Sequence, residues 1–201
     1  MRLWKFQLPS GFICLMLSLN VLGNNDETSD PTNRMKVLAK GLFSHDFMTF
    51  SINEVGNTGK TAAFGGGASF EYPLLDFLQL GAEFNTQIEV SREFHYFDIN
   101  AFAKFPFAIA LNNSIPHFFV RVPVGFSLAR FSSAKISLKS LPKGLNAGVS
   151  LGKEFFFAQR FGILLEGGYL YRYLGGELTN NNKFAVHFHE FSLSVGFSYL
   201  I

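Results

Sequence analysis

Between Phe77 and Val90 the side chains divide by parity. Leu78, Leu80, Ala82, Phe84, Ile88 and Val90 share one register; Gln79, Gly81, Glu83, Asn85, Gln87 and Glu89 share the other. Successive side chains of a strand point to opposite faces, so a period of two places the two sets on opposite sides of one extended segment. At about 3.3 Å per residue, that segment is long enough to cross a tilted membrane span. The pattern recurs down the chain, with glycine and charge on one face and Phe, Leu and Val on the other. Such repetition predicts a barrel that is apolar outside and polar inside, with lipid as its solvent.

The composition agrees. Phe is present 26 times and Gly 19 times in 201 residues, against a single Trp. This much Phe excludes a disordered chain, and glycine without a three-residue repeat excludes collagen. A barrel uses both residues, bulk on the outside and space within a narrow inside.

Residues 1–23 have the layout of a secretory signal peptide. Arg2 and Lys5 precede the mostly apolar run Gly11 to Leu22, and Val21 and Gly23 are small enough to precede a cleavage point. Cys14 follows Ile13, where a lipoprotein signal has a small residue. Cleavage near Asn24 leaves a polar lead, 24–34, and a barrel domain, 35–201. The mature chain then has no cysteine for a disulfide or a thiolate metal site. Its basic residues fall from 17 by the loss of Arg2 and Lys5, to equal the 15 acidic ones. A balanced charge argues against a nucleic-acid partner, which calls for a basic excess.

Eight strands are expected, at about 35–43, 61–72, 77–90, 95–107, 117–130, 144–155, 161–173 and 184–201. The connections tend to alternate, long at 44–60, 131–143 and 174–183, short at 73–76 and 158–160. Long outer loops and short inner turns characterise outer-membrane barrels, although 91–94 and 108–116 break the rule. Pro123 falls on the polar register of the fifth strand, where a lost ladder hydrogen bond predicts a bulge.

The polar register is expected to form a lumen charge network. Its basic members are Lys36, Lys40, Lys104, Arg121, Arg130 and Arg172; its acidic members are Glu71, Glu83, Glu89, Asp98, Glu154, Glu166 and Glu190. Between them lie Gly65, Gly67, Gly81, Gly125, Gly148, Gly152, Gly168 and Gly196. A water-facing surface has no need of so many small residues, whereas a crowded lumen does. Near-equal numbers of opposite charges predict a plug of ion pairs in place of a wide channel, since wide pores need about 16 strands.

These residues resemble the small outer-membrane β-barrel proteins of Gram-negative bacteria, the OmpA/OmpX-type superfamily. The phrases Leu78-Gln79-Leu80-Gly81-Ala82-Glu83-Phe84 and Phe161-Gly162-Ile163-Leu164-Leu165-Glu166-Gly167-Gly168-Tyr169 carry the likeness. So does the last strand, where Leu193, Val195, Phe197 and Tyr199 alternate up to Ile201. That strand is similar to the C-terminal assembly signal read by the barrel-insertion machinery, with Ile201 standing where the family has Phe. The resemblance implies an all-β, eight-stranded antiparallel up-and-down transmembrane barrel in the outer membrane. It implies as partners outer-membrane lipids, lipopolysaccharide and the insertion machinery, in a monomer with a structural or surface-interaction role.

Other functions find less support. A narrow channel for small solutes is the alternative, and a soluble lipocalin-like barrel is disfavoured by which face holds the glycines. No cofactor and no metal are expected, because His187 and His189 share a face without a third ligand. No catalytic group is expected either: a lipid-modifying enzyme needs a Ser, His and carboxylate together, and His189 and Ser192 fall on opposite faces. Lys135, Lys139 and Lys143 read as a solvated loop face. Tyr169, Tyr171, Tyr173 and Tyr199 read as interface anchors.

Overall fold

In the computed structural model the chain folds as a closed barrel. The structure describes residues 34–52, 55–91, 94–108, 117–131, 138–158, 160–179 and 182–201. The expected signal peptide, and the polar lead up to residue 33, lie outside the described residues.

Eight strands are described: β1 (Lys36–Ile52), β2 (Val55–Leu75), β3 (Leu78–Glu89), β4 (Phe94–Ala108), β5 (His117–Phe131), β6 (Lys143–Ala158), β7 (Phe161–Glu177) and β8 (Lys183–Leu200). Each pairs antiparallel with the next, and β1 closes the ring against β8. Closure satisfies the edges that an open sheet of this hydrophobicity would expose.

The registers determine the barrel's shape. Followed rung by rung around the ring, Leu38 leads to Ser69, Glu83, Asn100, Gly125, Asn146, Arg172, Phe188 and back to Met48. The path returns to β1 ten residues above its start. Eight strands with that stagger tilt by about 40° and close at a radius of roughly 8 Å. Such an interior has room for its own side chains and little else.

Two expectations about connections are corrected. The segment 44–60, read as a long loop, is mostly ladder: Ser44 pairs with Ala63, and pairing continues to Ile52 opposite Val55. Its Gly56, Asn57 and Gly59 imitate a loop signal, but the neighbouring strand supplies their pairing. Likewise β7 runs to Glu177 and β8 begins at Lys183, extending the barrel beyond the expected ends at 173 and 184. The bulge expected at Pro123 is absent. Arg121 pairs with Ser150 and Val124 with Ala147 in one unbroken register, and only the rungs between them are missing. Proline removes a donor here without inserting a residue. The register shifts between Pro73 and Leu75 and between Phe156 and Ala158, both beside turns.

The outward face carries the apolar register of every strand. Phe43, Phe64, Phe84, Ile99, Val124, Leu145, Leu151, Leu193 and Val195 are all exposed, Val195 to 60%. The inward face carries the charges, so the sides of the sheet are reversed relative to a water-soluble barrel.

Candidate functional site

The lumen is built in four layers upward from the end where β1 begins and β8 finishes. Leu38, Phe119 and Leu164 pack together near the lower end. Above and among them lies a continuous ionic network. Lys36 Nζ donates to Glu154 at 2.8 Å, and Glu154 also meets Lys104 at 3.2 Å. Lys104 reaches Glu71 at 2.8 Å, and Glu71 touches Arg121 at 3.5 Å. The Arg121 guanidinium also meets Glu83 and Glu166, each at 3.2 Å, and Lys40 closes the set on Glu83 at 2.9 Å. Four cations and four carboxylates thus balance, all buried. Pairing of this kind is what allows charge in a small space away from water.

Aromatic rings brace the cations. Phe102 lies under the Arg121 guanidinium at 3.8 Å, and Phe119 under Lys104 at 4.3 Å. Each ring crosses a glycine. A Cβ on Gly81 would sit 2.2 Å from the Phe102 ring, and one on Gly152 would sit 2.2 Å from Phe119. Glycine is required at these two positions by the close approach of the rings.

The next layer is centred on Arg172, which donates to both oxygens of Asp98, at 2.6 Å from Nη2 to Oδ2, and also bonds Glu190. Gln87 Nε2 donates to Glu190 at 3.1 Å, and Ser44 donates to Gln87 at 2.9 Å. Glu89 accepts from Tyr96 at 3.1 Å and from Ser91 at 2.7 Å. Asp46 is also buried here, opposite Glu190 in the ladder. A cap of Phe94, Tyr96, Leu174, Phe184, Val186 and Phe188 completes the stack. Between the two charged layers a cavity of about 40 Å³ remains, lined by Lys40, Glu83, Asp98, Arg121, Arg172 and Glu190. At the ~10–15 Å³ that a water needs, it has room for a few waters.

Twelve of the thirteen residues expected in the lumen are buried there: Lys36, Lys40, Glu71, Glu83, Glu89, Asp98, Lys104, Arg121, Glu154, Glu166, Arg172 and Glu190. Arg130 is not among them. It is exposed on the outside, an even-numbered neighbour of Phe126 and Leu128, so strict period two puts it opposite Arg121. Asp46 lies beyond the expected end of the first strand at Phe43, on the same alternation continued past Ser44. Phe102 and Phe119 were missed because aromatic residues on a charged register carry no polar signal.

The remaining candidates are on the outside. Leu193, Val195, Phe197 and Tyr199 alternate outward along β8, with Ile201 exposed after it. His187 and His189 face outward, each bonded through Nδ1 to a tyrosine hydroxyl: Tyr171 at 2.6 Å and Tyr169 at 2.7 Å. Among the described residues no group of three or more His, Cys, Asp or Glu is arranged to hold a metal. Tyr199 takes a bond from Arg160 at 3.2 Å near the lower rim. Lys139 pairs with Glu177 at 3.3 Å, Lys143 is exposed at the start of β6, and Lys135 lies outside the described residues.

A ring of eight antiparallel strands with an apolar outside and an ion-paired inside is the architecture of the small outer-membrane β-barrels, and solved structures show the same fold. The chain is similar to the outer membrane protein AlkL at 14% identity, over 89% of this chain and 95% of that one, with a TM-score of 0.52. It is similar to the outer membrane protein OprG from Pseudomonas aeruginosa at 13% identity, over 84% and 96% of the two chains, with a TM-score of 0.50. No protein-family model and no curated protein matches the chain.

Proposed function

We propose that this chain is an integral outer-membrane β-barrel protein of a Gram-negative bacterium, with a structural or surface-interaction role and a lumen closed by its own charged side chains. The observation that carries the reading is the reversal of faces. Large apolar side chains are exposed in every strand, while all of the described strands' carboxylates except Glu177 point inward. Only a lipid solvent stabilises that arrangement. From Tyr199 to His189 on β8 is ten residues, or about 25 Å along the axis at a 40° tilt, the height of an outer-membrane apolar band.

The reading extends to biogenesis. Residues 1–23 serve as a cleaved export signal, 24–34 as a polar lead and 35–201 as the barrel. The outward run Leu193, Val195, Phe197, Tyr199 and Ile201 serves as the signal to the insertion machinery. The protein acts as a monomer, without enzymatic activity, a cofactor or a metal, among outer-membrane lipids and lipopolysaccharide. The four-to-four balance of buried charge around Arg121 supports closure over conduction.

Cell fractionation combined with gel mobility before and after boiling tests the proposal. Recovery in the outer-membrane fraction with a heat-dependent mobility shift is expected. Recovery in the soluble fraction with no shift would overturn it.

A further inference from the structure

The upper outward rim, among the described residues, has a one-sided charge. Among the described residues, Lys60, Arg130, Lys143 and Lys183 and the imidazoles of His45, His95, His187 and His189 all sit on the outward register of this third of the barrel. One carboxylate, Glu177, shares that face, and Lys139 already pairs with it at 3.3 Å. The acids of the same strand segments, Asp46, Glu89, Asp98 and Glu190, are buried in the lumen. Parity has sorted the charges, leaving an outside that attracts anions.

One sector of this rim is more ordered than the rest. Across β7, β8, β1 and β2, Tyr171, His189, Phe47 and Lys60 form one row of the sheet. Tyr173, His187, Thr49 and Thr58 form the row above it. The same Tyr–His unit occurs twice: Tyr169 with His189 and Tyr171 with His187, each through Nδ1. In the tautomer whose Nδ1 accepts from the tyrosine hydroxyl, the ring carries its proton on Nε2 and keeps that donor for a ligand. Lys60 Nζ stands over the Phe47 ring at 5.2 Å, and the His45 ring meets the same ring edge-on at 5.1 Å. Below these, past the row of Tyr169, Phe191, His45 and Ala62, Leu193, Phe43 and Phe64 begin the apolar belt. The sector therefore offers cationic and hydrogen-bond donors interleaved with ring faces, above an apolar wall.

We infer that the β7–β8–β1–β2 sector binds the phosphorylated sugar headgroup of lipopolysaccharide. Lys60 and the imidazoles of His187 and His189 take the phosphates, Tyr169 and Tyr171 stack against the sugar, and the acyl chains run down over Phe43 and Leu193. Charge complementarity and height select this occupant: His189 lies about 25 Å above Tyr199, where the lipid headgroups of the outer leaflet begin under the proposed function, on which this inference rests. Amphipathic rings with polar tips suit that boundary.

The test uses the full mature chain refolded in detergent, with binding followed by native mass spectrometry. The probes are purified lipid A, its dephosphorylated form and phosphatidylglycerol. The wild type is expected to retain lipid A over both other lipids. Lys60→Glu combined with His189→Gln is expected to weaken lipid A retention at least about tenfold, the loss of a charge-assisted contact. Arg130→Glu, on the opposite wall, is expected to leave it unchanged. Equal retention of the dephosphorylated form or of phosphatidylglycerol would overturn the inference, as would an unaffected double variant. Heat-dependent gel mobility of the same samples reads the barrel separately: a shifted wild type that ignores lipid A overturns the site and leaves the barrel standing. Should the double variant show no shift, Lys60→Gln alone supplies the comparison.

Discussion

Arg121 is the residue on which the lower lumen converges, and replacing it with methionine tests whether paired charge holds the barrel together. Its guanidinium meets Glu83 and Glu166 at 3.2 Å and Glu71 at 3.5 Å. At an effective dielectric of about 20, each such contact is worth roughly 5 kcal/mol of gross attraction. Desolvation of the arginine offsets much of that, but the three carboxylates stay buried after truncation. Glu71 keeps Lys104 at 2.8 Å and Glu83 keeps Lys40 at 2.9 Å, so Glu166 is left worst, with Ser150 and a distant Lys40 at 3.8 Å. Breaking a buried pair from one side costs about 3–5 kcal/mol. With an m-value near 2 kcal/mol/M, the urea midpoint of the refolded protein should fall by roughly 1.5–2.5 M. Adding Glu166→Gln restores three cations to three carboxylates and should recover at least ~2 kcal/mol, a coupling expected of contacting residues. A single variant that costs less than ~1 kcal/mol, or a double variant less stable than the single, would refute the claim that charge pairing organises this lumen.

Three further outcomes follow from the geometry. Gly81→Ala should cost about 1–3 kcal/mol in the same urea titration, since its Cβ would lie 2.2 Å from Phe102 and 2.4 Å from Phe70 O. Adding Phe102→Leu should recover only part, because the backbone oxygen cannot yield, and a neutral Gly81→Ala would contradict the packing. Val195→Arg, on a side chain 60% exposed, should cost about 2–4 kcal/mol in lipid vesicles; a change within ~0.5 kcal/mol, as on a water-facing surface, would place this face in water. In planar bilayers the wild type should show no conductance steps, and Tyr96→Ala with Phe188→Ala should stay silent because the ion-paired layers beneath still fill the lumen. Steps from that variant would contradict a lumen closed by charge.

Much of the lumen was legible because a strand's alternation is local. Lys36 and Lys40, or Glu83 and Glu89, declare their side of the sheet by parity alone, and the parity of Arg130 places it outside with Phe126 and Leu128. The ends of the strands were harder to read. Residues 44–60 look like a loop because Gly56, Asn57 and Gly59 favour one, and only the pairing of β1 with β2 and β8 turns the segment into ladder. Propensity yields there to a neighbour that the local sequence does not contain.

By itself, the sequence determined the two faces, the antiparallel all-β class and the balance of charge, all properties that a period of two writes into consecutive residues. Only the tertiary structure decided who meets whom. Lys36 finds Glu154 across 118 positions, Arg121 finds Glu166 across 45, and Asp46 comes to lie opposite Glu190. Those meetings depend on the ten-residue stagger accumulated around the ring, a sum over eight pairings that no single strand encodes. The same stagger sets the radius, and the radius makes charged side chains fill the interior in place of water.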